Sequence, residues 1–394
     1  MSPTAPEDDV RQPVRFIPTD ERREPDDGVG LCLSGGGYRA MTFHLGTLLR
    51  LNDACWLPRL TRVSSVSGGS ITAAALAIAW PDLDFDETGW ARRLNELVIG
   101  RIRDVASQTI DEGAIGIGLL TPGSIGERVA EAYRDKLLGD RTLQDLPPEP
   151  APLFVINATN LATGVLFRFT RPYAADWRVG TIRNPRISLA DAVAASSAFP
   201  PVLSPFELDL RDADWETVNG NELTGLEYRG RLVLTDGGVY DNLGIETVWK
   251  RCRTVLVSDG GGQIADDSEP PGDWARQSLR VLKVIDNQVR DLRKRQLQTG
   301  YRAKRPDGTR LREGAYWGIR SDITHYNVPR PLPAPKDKTL PLAELPTRLK
   351  RLNDLTQKRL INWGYAICDV GMRAWVDRDL DAPVELPFPD AGIR

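Results

Sequence analysis

Histidine is nearly missing from this chain of 394 residues, which holds only His44 and His325. Cysteine is scarce as well. Cys32, Cys55, Cys252 and Cys368 are widely separated and form no Cys-x-x-Cys pair. This argues against a metal cluster and fits a reducing cytoplasm better than secretion. Neither sign of charge is in excess: 51 basic and 54 acidic side chains give a net charge of −3. A whole-chain basic field for a nucleic acid polymer is therefore excluded. No run approaches the length of a membrane span. The N-terminal stretch is acidic and proline-rich without an apolar core, so no signal peptide is expected and residues 1–27 read as a flexible leader.

What the chain does hold is concentrated between residues 28 and 80. Val29–Leu33 is a short apolar run, and Ser34-Gly35-Gly36-Gly37 follows with almost no side chain. Tyr38 to Asp53 carries Met41, Leu45, Leu48 and Leu49 at helical spacing. Leu60–Val66 then runs into Ser67-Gly68-Gly69 and an alanine-rich helix to Trp80. Strand, serine among small residues, helix is the pattern of a nucleophile elbow. A glycine turn at a helix start offers unpaired amides and the positive end of a helix dipole.

Further along, 90–110 and 125–138 read as surface helices. Between them, 113–120 is an apolar stretch broken by glycines, either a buried connector or a mobile apolar lip within 111–124. Leu153–Phe169 reads as two strands about Thr163-Gly164, and Ser188 caps a small-residue helix ended by Pro200-Pro201. Two strands deliver Asp236-Gly237-Gly238 and Asp259-Gly260-Gly261. Long helical patterns follow at Trp274–Leu297 and Leu345–Trp375. Strands alternating with helices predict an α/β fold with a largely parallel, helix-covered sheet. One domain, 28–394, is expected, with helical insertions and a C-terminal helical extension.

Ser67 is the candidate nucleophile. The positions two before and two after must be small, and they are Ser65 and Gly69. Gly35-Gly36-Gly37-Tyr38-Arg39-Ala40 also satisfies a dinucleotide fingerprint, but that reading needs a carboxylate at the end of the second strand, where Val66-Ser67 stands instead. A backbone oxyanion site is the better use of those amides. His44 lies in mid-helix and His325 in a polar stretch, so neither is placed as a base. A carboxylate acting directly is the alternative, with Asp236 or Asp259, provided burial raises it above its ordinary value.

GGGYRA, SVSGGS and DGGVYDNLG, in this order, resemble the patatin-like phospholipase family, as do NATNLATG and AASSAFPPVLSP. The resemblance covers about residues 28–260. It implies a three-layer α/β fold with helices on both faces of the sheet, and a lipid acyl hydrolase using a Ser-Asp dyad without metal or other cofactor. It makes Ser67 the nucleophile and Asp236 the base. The oxyanion hole falls to Gly35, Gly36, Gly37 and Gly68, with Arg39 beside them. It also implies a membrane phospholipid or other acyl-ester lipid as substrate. Since some bacterial relatives are toxins or nucleotide-triggered effectors of anti-phage defence, a cyclic-nucleotide activator is a further expectation, although no nucleotide motif is present. Oligomerisation is left open. A general carboxylesterase on soluble esters and a non-catalytic ligand-sensing scaffold are the alternatives.

Contact with the inner membrane is expected to be peripheral, through the basic segment 290–312, whose alternative uses are a solvated face and the binding of an anionic regulator. That run holds nine basic side chains (Arg290, Arg293, Lys294, Arg295, Arg302, Lys304, Arg305, Arg310, Arg312) against Asp291 and Asp307.

Overall fold

The computed structural model describes residues 25–111, 125–211, 213–217 and 221–393. The leader up to residue 24 and the stretch 113–120 lie outside them. Strand β1 (Asp26–Leu33) leads through the glycine turn into helix α1 (Gly37–Asp53), and β2 (Leu60–Val66) leads through Ser67 into α2 (Gly68–Ala79). Where 90–110 reads as one helix, only Asn95–Ala106 is helical, with a π-type first half. Helix α3 (Ile125–Tyr133) precedes β3 (Leu153–Asn160), β4 (Val165–Phe169), β5 (Tyr173–Asp176) and β6 (Gly180–Arg183). Then come α4 (Leu189–Ser196), β7 (Phe206–Asp209), β8 (Trp215–Glu216), β9 (Arg231–Asp236), the short helices α5 (Gly238–Asp241) and α6 (Glu246–Trp249), and β10 (Cys252–Asp259). Helix α7 (Trp274–Arg302), β11 (Glu313–Gly318), α8 (Lys336–Ala343) and α9 (Asp354–Trp375) complete the order.

All strands join one sheet in the order β11-β10-β1-β2-β3-β4-β5-β6-β8, with β9 on β3 and β7 on β9. The five strands β11 to β3 are mutually parallel. Beyond β3 every pairing is antiparallel. The parallel half carries the strand–helix units, because parallel neighbours need a crossover. The antiparallel half consists of short-turn hairpins such as β3–β4, joined around Thr163-Gly164.

Helices cover both faces. Helix α1 is buried all round from Gly37 to Asn52, sandwiched between the sheet and α9. Close approach requires glycine there: a Cβ on Gly46 would stand 2.0 Å from the Ile361 carbonyl oxygen, and one on Gly364 2.0 Å from that of Phe43. The segment Leu345–Asn353, expected to be the start of the last helix, instead runs without regular structure across the glycine turn; α9 begins at Asp354, capped by Asn353. On the opposite face a smaller core of Cys32, Leu243, Ile245, Val248, Val255, Val257 and Leu297 seats α6 and the C-terminal half of α7.

One detail of the register positions the site. β2 pairs with β3 as far as Val66 opposite Asn157, and there it ends. From Ala158 onward β9 takes over that edge of β3, running the other way and ending with Asp236 opposite Ala158. The ends of β2 and β9 therefore meet head to head, one β3 residue apart.

Candidate active site

Ser67 sits at that junction with φ 53° and ψ −123°, a conformation that costs a non-glycine residue of order 1–3 kcal/mol. Crowding enforces it. A Cβ on Gly68 would lie 2.2 Å from the Gly37 carbonyl oxygen, and one on Gly69 2.3 Å from that of Leu33. Ser65, where such elbows carry glycine, is tolerated because its hydroxyl is satisfied within the core. It donates to the Val155 carbonyl at 3.2 Å and accepts from the Ser70 hydroxyl at 3.0 Å. Ser67 itself is 6 % exposed.

Asp236 is 2 % exposed, and its carboxylate accepts from the Gly238 amide at 2.7 Å, with the Ser67 hydroxyl beside it. Its backbone is pinned on both sides: its amide donates to the Ala198 carbonyl at 3.0 Å, and its carbonyl accepts from the Thr159 hydroxyl at 2.9 Å. Burial raises its carboxyl to about 7, against the opposing pull of the Gly238 and Ser67 donors. Asp259 is placed differently. Burial would raise it too, but Lys294, Arg290, the Tyr316 hydroxyl and the Gly261 amide together hold it well below the usual carboxylate range.

The oxyanion assignment narrows. The Gly35 amide donates to the Asn242 carbonyl at 3.0 Å, so it is already engaged in holding α5 against the turn. Gly36 (φ 145°) and Gly37 (φ 60°) adopt conformations reserved for glycine. As residues at the start of α1 they have no intrahelical acceptor, and Gly68 is in the same position at the start of α2. Arg39 is engaged elsewhere. Its guanidinium donates to the Gly260 carbonyl and the Thr347 hydroxyl at 3.0 Å each, and to the Leu345 carbonyl. Burial, with help from neighbouring Arg290, lowers it to about 10, so it stays charged at neutral pH. It clamps the glycine turn to the β10 loop and to Leu345–Thr347.

Neither histidine hydrogen-bonds to Ser67 or Asp236 among the described residues. The His44 ring is fully buried, with Nδ1 2.8 Å from the Ser258 hydroxyl and Nε2 3.0 Å from the Ser34 carbonyl. Burial lowers it to about 4, leaving it neutral at pH 7. His325 is exposed in a 3-10 turn after β11. His325→Gln is therefore expected to keep ester turnover within about twofold of wild type, against the 10²–10⁴-fold contribution of a general base. A loss on that larger scale, measured as kcat/KM, would reinstate a triad.

Two contributors escaped the sequence reading. The Ser196 hydroxyl accepts from the Ser67 amide at 3.0 Å and donates to the Asn157 carbonyl at 2.6 Å, fixing the elbow to α4 and β3. The Asn157 side chain donates to the Ser64 hydroxyl and the Ser65 carbonyl, both at 2.9 Å. Their only trace in sequence is the small, polar character of AASSA and NATN.

A family model described as patatin-like phospholipase matches residues 31–249, more than half of the chain. No curated protein matches. Among solved structures, human GIVD cytosolic phospholipase A2 superposes with a TM-score of 0.53 at 14% identity, over 86% of this chain and 58% of that one. VipD from Legionella pneumophila gives 0.37 at 15% identity, over 87% and 66%. At these identities the first likeness speaks to fold alone, and the second carries no weight. The chain spans well under two thirds of the human structure's length.

Proposed function

The chain belongs to the patatin-like phospholipase family, and from that premise we propose that it is a lipid acyl hydrolase working through Ser67 and Asp236. The observation that carries this reading is a strained serine beside a buried carboxyl that burial raises to about 7. Ionised Asp236 takes the hydroxyl proton as Ser67 Oγ attacks the acyl carbonyl. The oxyanion falls against the amides of Gly36, Gly37 and Gly68 at the converging starts of α1 and α2. The proton passes from Asp236 to the departing alkoxide, releasing the alcohol or lysolipid. A water then gives its proton to Asp236 and attacks the acyl-Ser67 carbonyl; the proton returns from Asp236 to the departing Ser67 Oγ as the fatty acid is freed. A ligand-sensing scaffold would have no need of either group.

No helix among the described residues is long and apolar enough to cross a membrane. Peripheral contact is favoured elsewhere than in 290–312. There Arg293 pairs with Glu246 at 2.8 Å and Lys294 with Asp259 at 3.4 Å, while Arg290 and Arg312 are buried. The first half of α7 is the better surface. Trp274, Val281, Ile285 and Leu292 are all exposed and, at 3.6 residues per turn, lie on one stripe. The buried Arg290 and Leu297 project from the other side. Asp286 is close enough to Asp236 to help raise its pKa, which sets this helix beside the dyad.

The test is acyl release from phospholipid vesicles and from a short soluble ester, for wild type and the double variant Val281→Asp, Ile285→Asp. Wild type is expected to liberate fatty acid from both. The variant is expected to lose about tenfold in vesicle binding while keeping turnover of the soluble ester. Absence of fatty-acid release from either substrate removes the hydrolase reading, and unchanged vesicle binding removes α7 as the contact.

A further inference from the structure

At the C-terminal end of β10, next to the glycine turn, three cationic side chains line a small pocket. Arg290 and Lys294 project from adjacent turns of α7, and Arg320 follows β11. Two carboxylates line it as well, and both have partners. Asp259 accepts from the Gly261 amide at 2.9 Å and the Tyr316 hydroxyl at 2.7 Å, with Lys294 Nζ at 3.4 Å. Asp291 accepts from Asn287 at 3.2 Å.

The guanidinium groups are different. Arg290 is 6 % exposed, yet its Nε finds no hydrogen-bond partner, and neither does Nε of Arg320. The Asp286 carboxylate stands 3.9 Å from Arg290, beyond hydrogen-bonding distance. Arg39 is also near enough for both arginines to depress its pKa. Three guanidinium groups gathered in a desolvated region repel one another, and a buried cation without acceptors is costly. Arg39 answers its own requirement with two carbonyls and a hydroxyl. Arg290 has only the long pairing to Asp286 and the nearby charge of Asp259, its Nε unmet, and the Arg320 Nε is likewise without a partner among the described residues.

We propose that this pocket is an anion site, separate from the Ser67 centre, that seats one tetrahedral oxyanion of the phosphate class between Arg290 and Arg320. The planar forks of two arginines suit paired hydrogen bonds to phosphate oxygens, and Lys294 adds a point charge. The pocket volume of ≈ 70 Å³ is that of about two water molecules. It admits a single phosphoryl group and not a whole nucleotide, the remainder of any larger ligand lying outside. The phosphoryl group could be that of a lipid headgroup or a free phosphate, and the same site chemistry would serve either.

The experiment is thermal unfolding and calorimetric titration of the full chain with inorganic phosphate, at ionic strength held constant with sodium chloride. Wild type is expected to melt higher in phosphate than in chloride. Arg320→Gln, at a partly exposed position, is expected to weaken phosphate affinity by about tenfold without lowering the Tm in chloride. Arg290→Gln should weaken it similarly. Equal melting of wild type in phosphate and chloride overturns the proposal, as does unchanged phosphate affinity in Arg320→Gln. If the occupant is a headgroup, phosphate competes with vesicle phospholipid and Arg320→Gln raises KM for phospholipid but not for a neutral diacyl ester. If it is free phosphate, titration is unaffected by substrate. Ser67→Ala is expected to bind phosphate like wild type, so the anion site and the hydrolytic reading fail or stand separately.

Discussion

Ser67→Ala is expected to lower acyl-ester turnover by about 10⁴-fold or more, with the fold intact. The hydroxyl is the only atom removed, and its recorded partner is the Asp236 carboxylate. Alanine keeps the Cβ and therefore keeps the strained φ of 53°. Ser67→Gly would abolish activity equally but release that strain, so it is expected to melt higher than Ser67→Ala by the equivalent of about 1 kcal/mol. The pair separates chemistry from backbone. Both should be inactive on a soluble ester, and only one should gain stability. Near-wild-type kcat in Ser67→Ala would dismiss Ser67 as nucleophile.

Asp236→Asn is expected to lose at least about 10³-fold in kcat/KM, since the amide accepts no proton. In wild type, kcat/KM should rise with pH and reach half its plateau near pH 7, where the buried carboxyl ionises. A flat profile from pH 5 to 9 would rule out this carboxyl as the base. The same residue makes a prediction about stability with the opposite trend. A carboxyl whose folded pKa is raised keeps its proton in the native state while the unfolded chain releases it. Between the ordinary carboxylate value near 3.8 and about 7, stability therefore falls as pH rises, and above about 7 it levels off. Asparagine carries no such linkage and can still accept from the Gly238 amide. Asp236→Asn should thus be more stable than wild type at pH 8, by a few kcal/mol at most. The two should converge below pH 4. Thermal melts at both values check the sign.

Most of the parallel half was legible in the chain because its signals are local. The run to Leu33, the glycines, the helical spacing to Asp53 and the small residues about Ser67 each specify geometry within a few positions. The strand-end Asp236 was legible for the same reason, though choosing it over Asp259 needed the family resemblance. Burial then supplies a physical ground for that choice: both aspartates are buried, but only Asp259 has cations and a tyrosine gathered around it. What sequence could not disclose depends on partners far away in the chain. Nothing near Gly35 announces that Asn242 will take its amide, and nothing near Arg39 announces the carbonyls of Gly260 and Leu345. Nor does the basic run 290–312 announce that Glu246 and Asp259, from other elements, pair with its Arg293 and Lys294. The antiparallel half of the sheet was underestimated because its strands are short and their alternation is brief.

The head-to-head meeting of β2 and β9 on one edge of β3 makes β3 a ruler. Ser67 follows the residue opposite Asn157 and Asp236 lies opposite Ala158, so one step along that strand sets the spacing of the proposed pair. It is independent of how much chain separates Ser67 from Asp236. Hairpins and loops in that interval can lengthen, shorten or be exchanged without altering the reacting distance, whereas a single residue inserted between Asn157 and Ala158 would pull the pair apart. Variation in what is recognised and constancy in what is done to it are thus assigned to different stretches of the polypeptide.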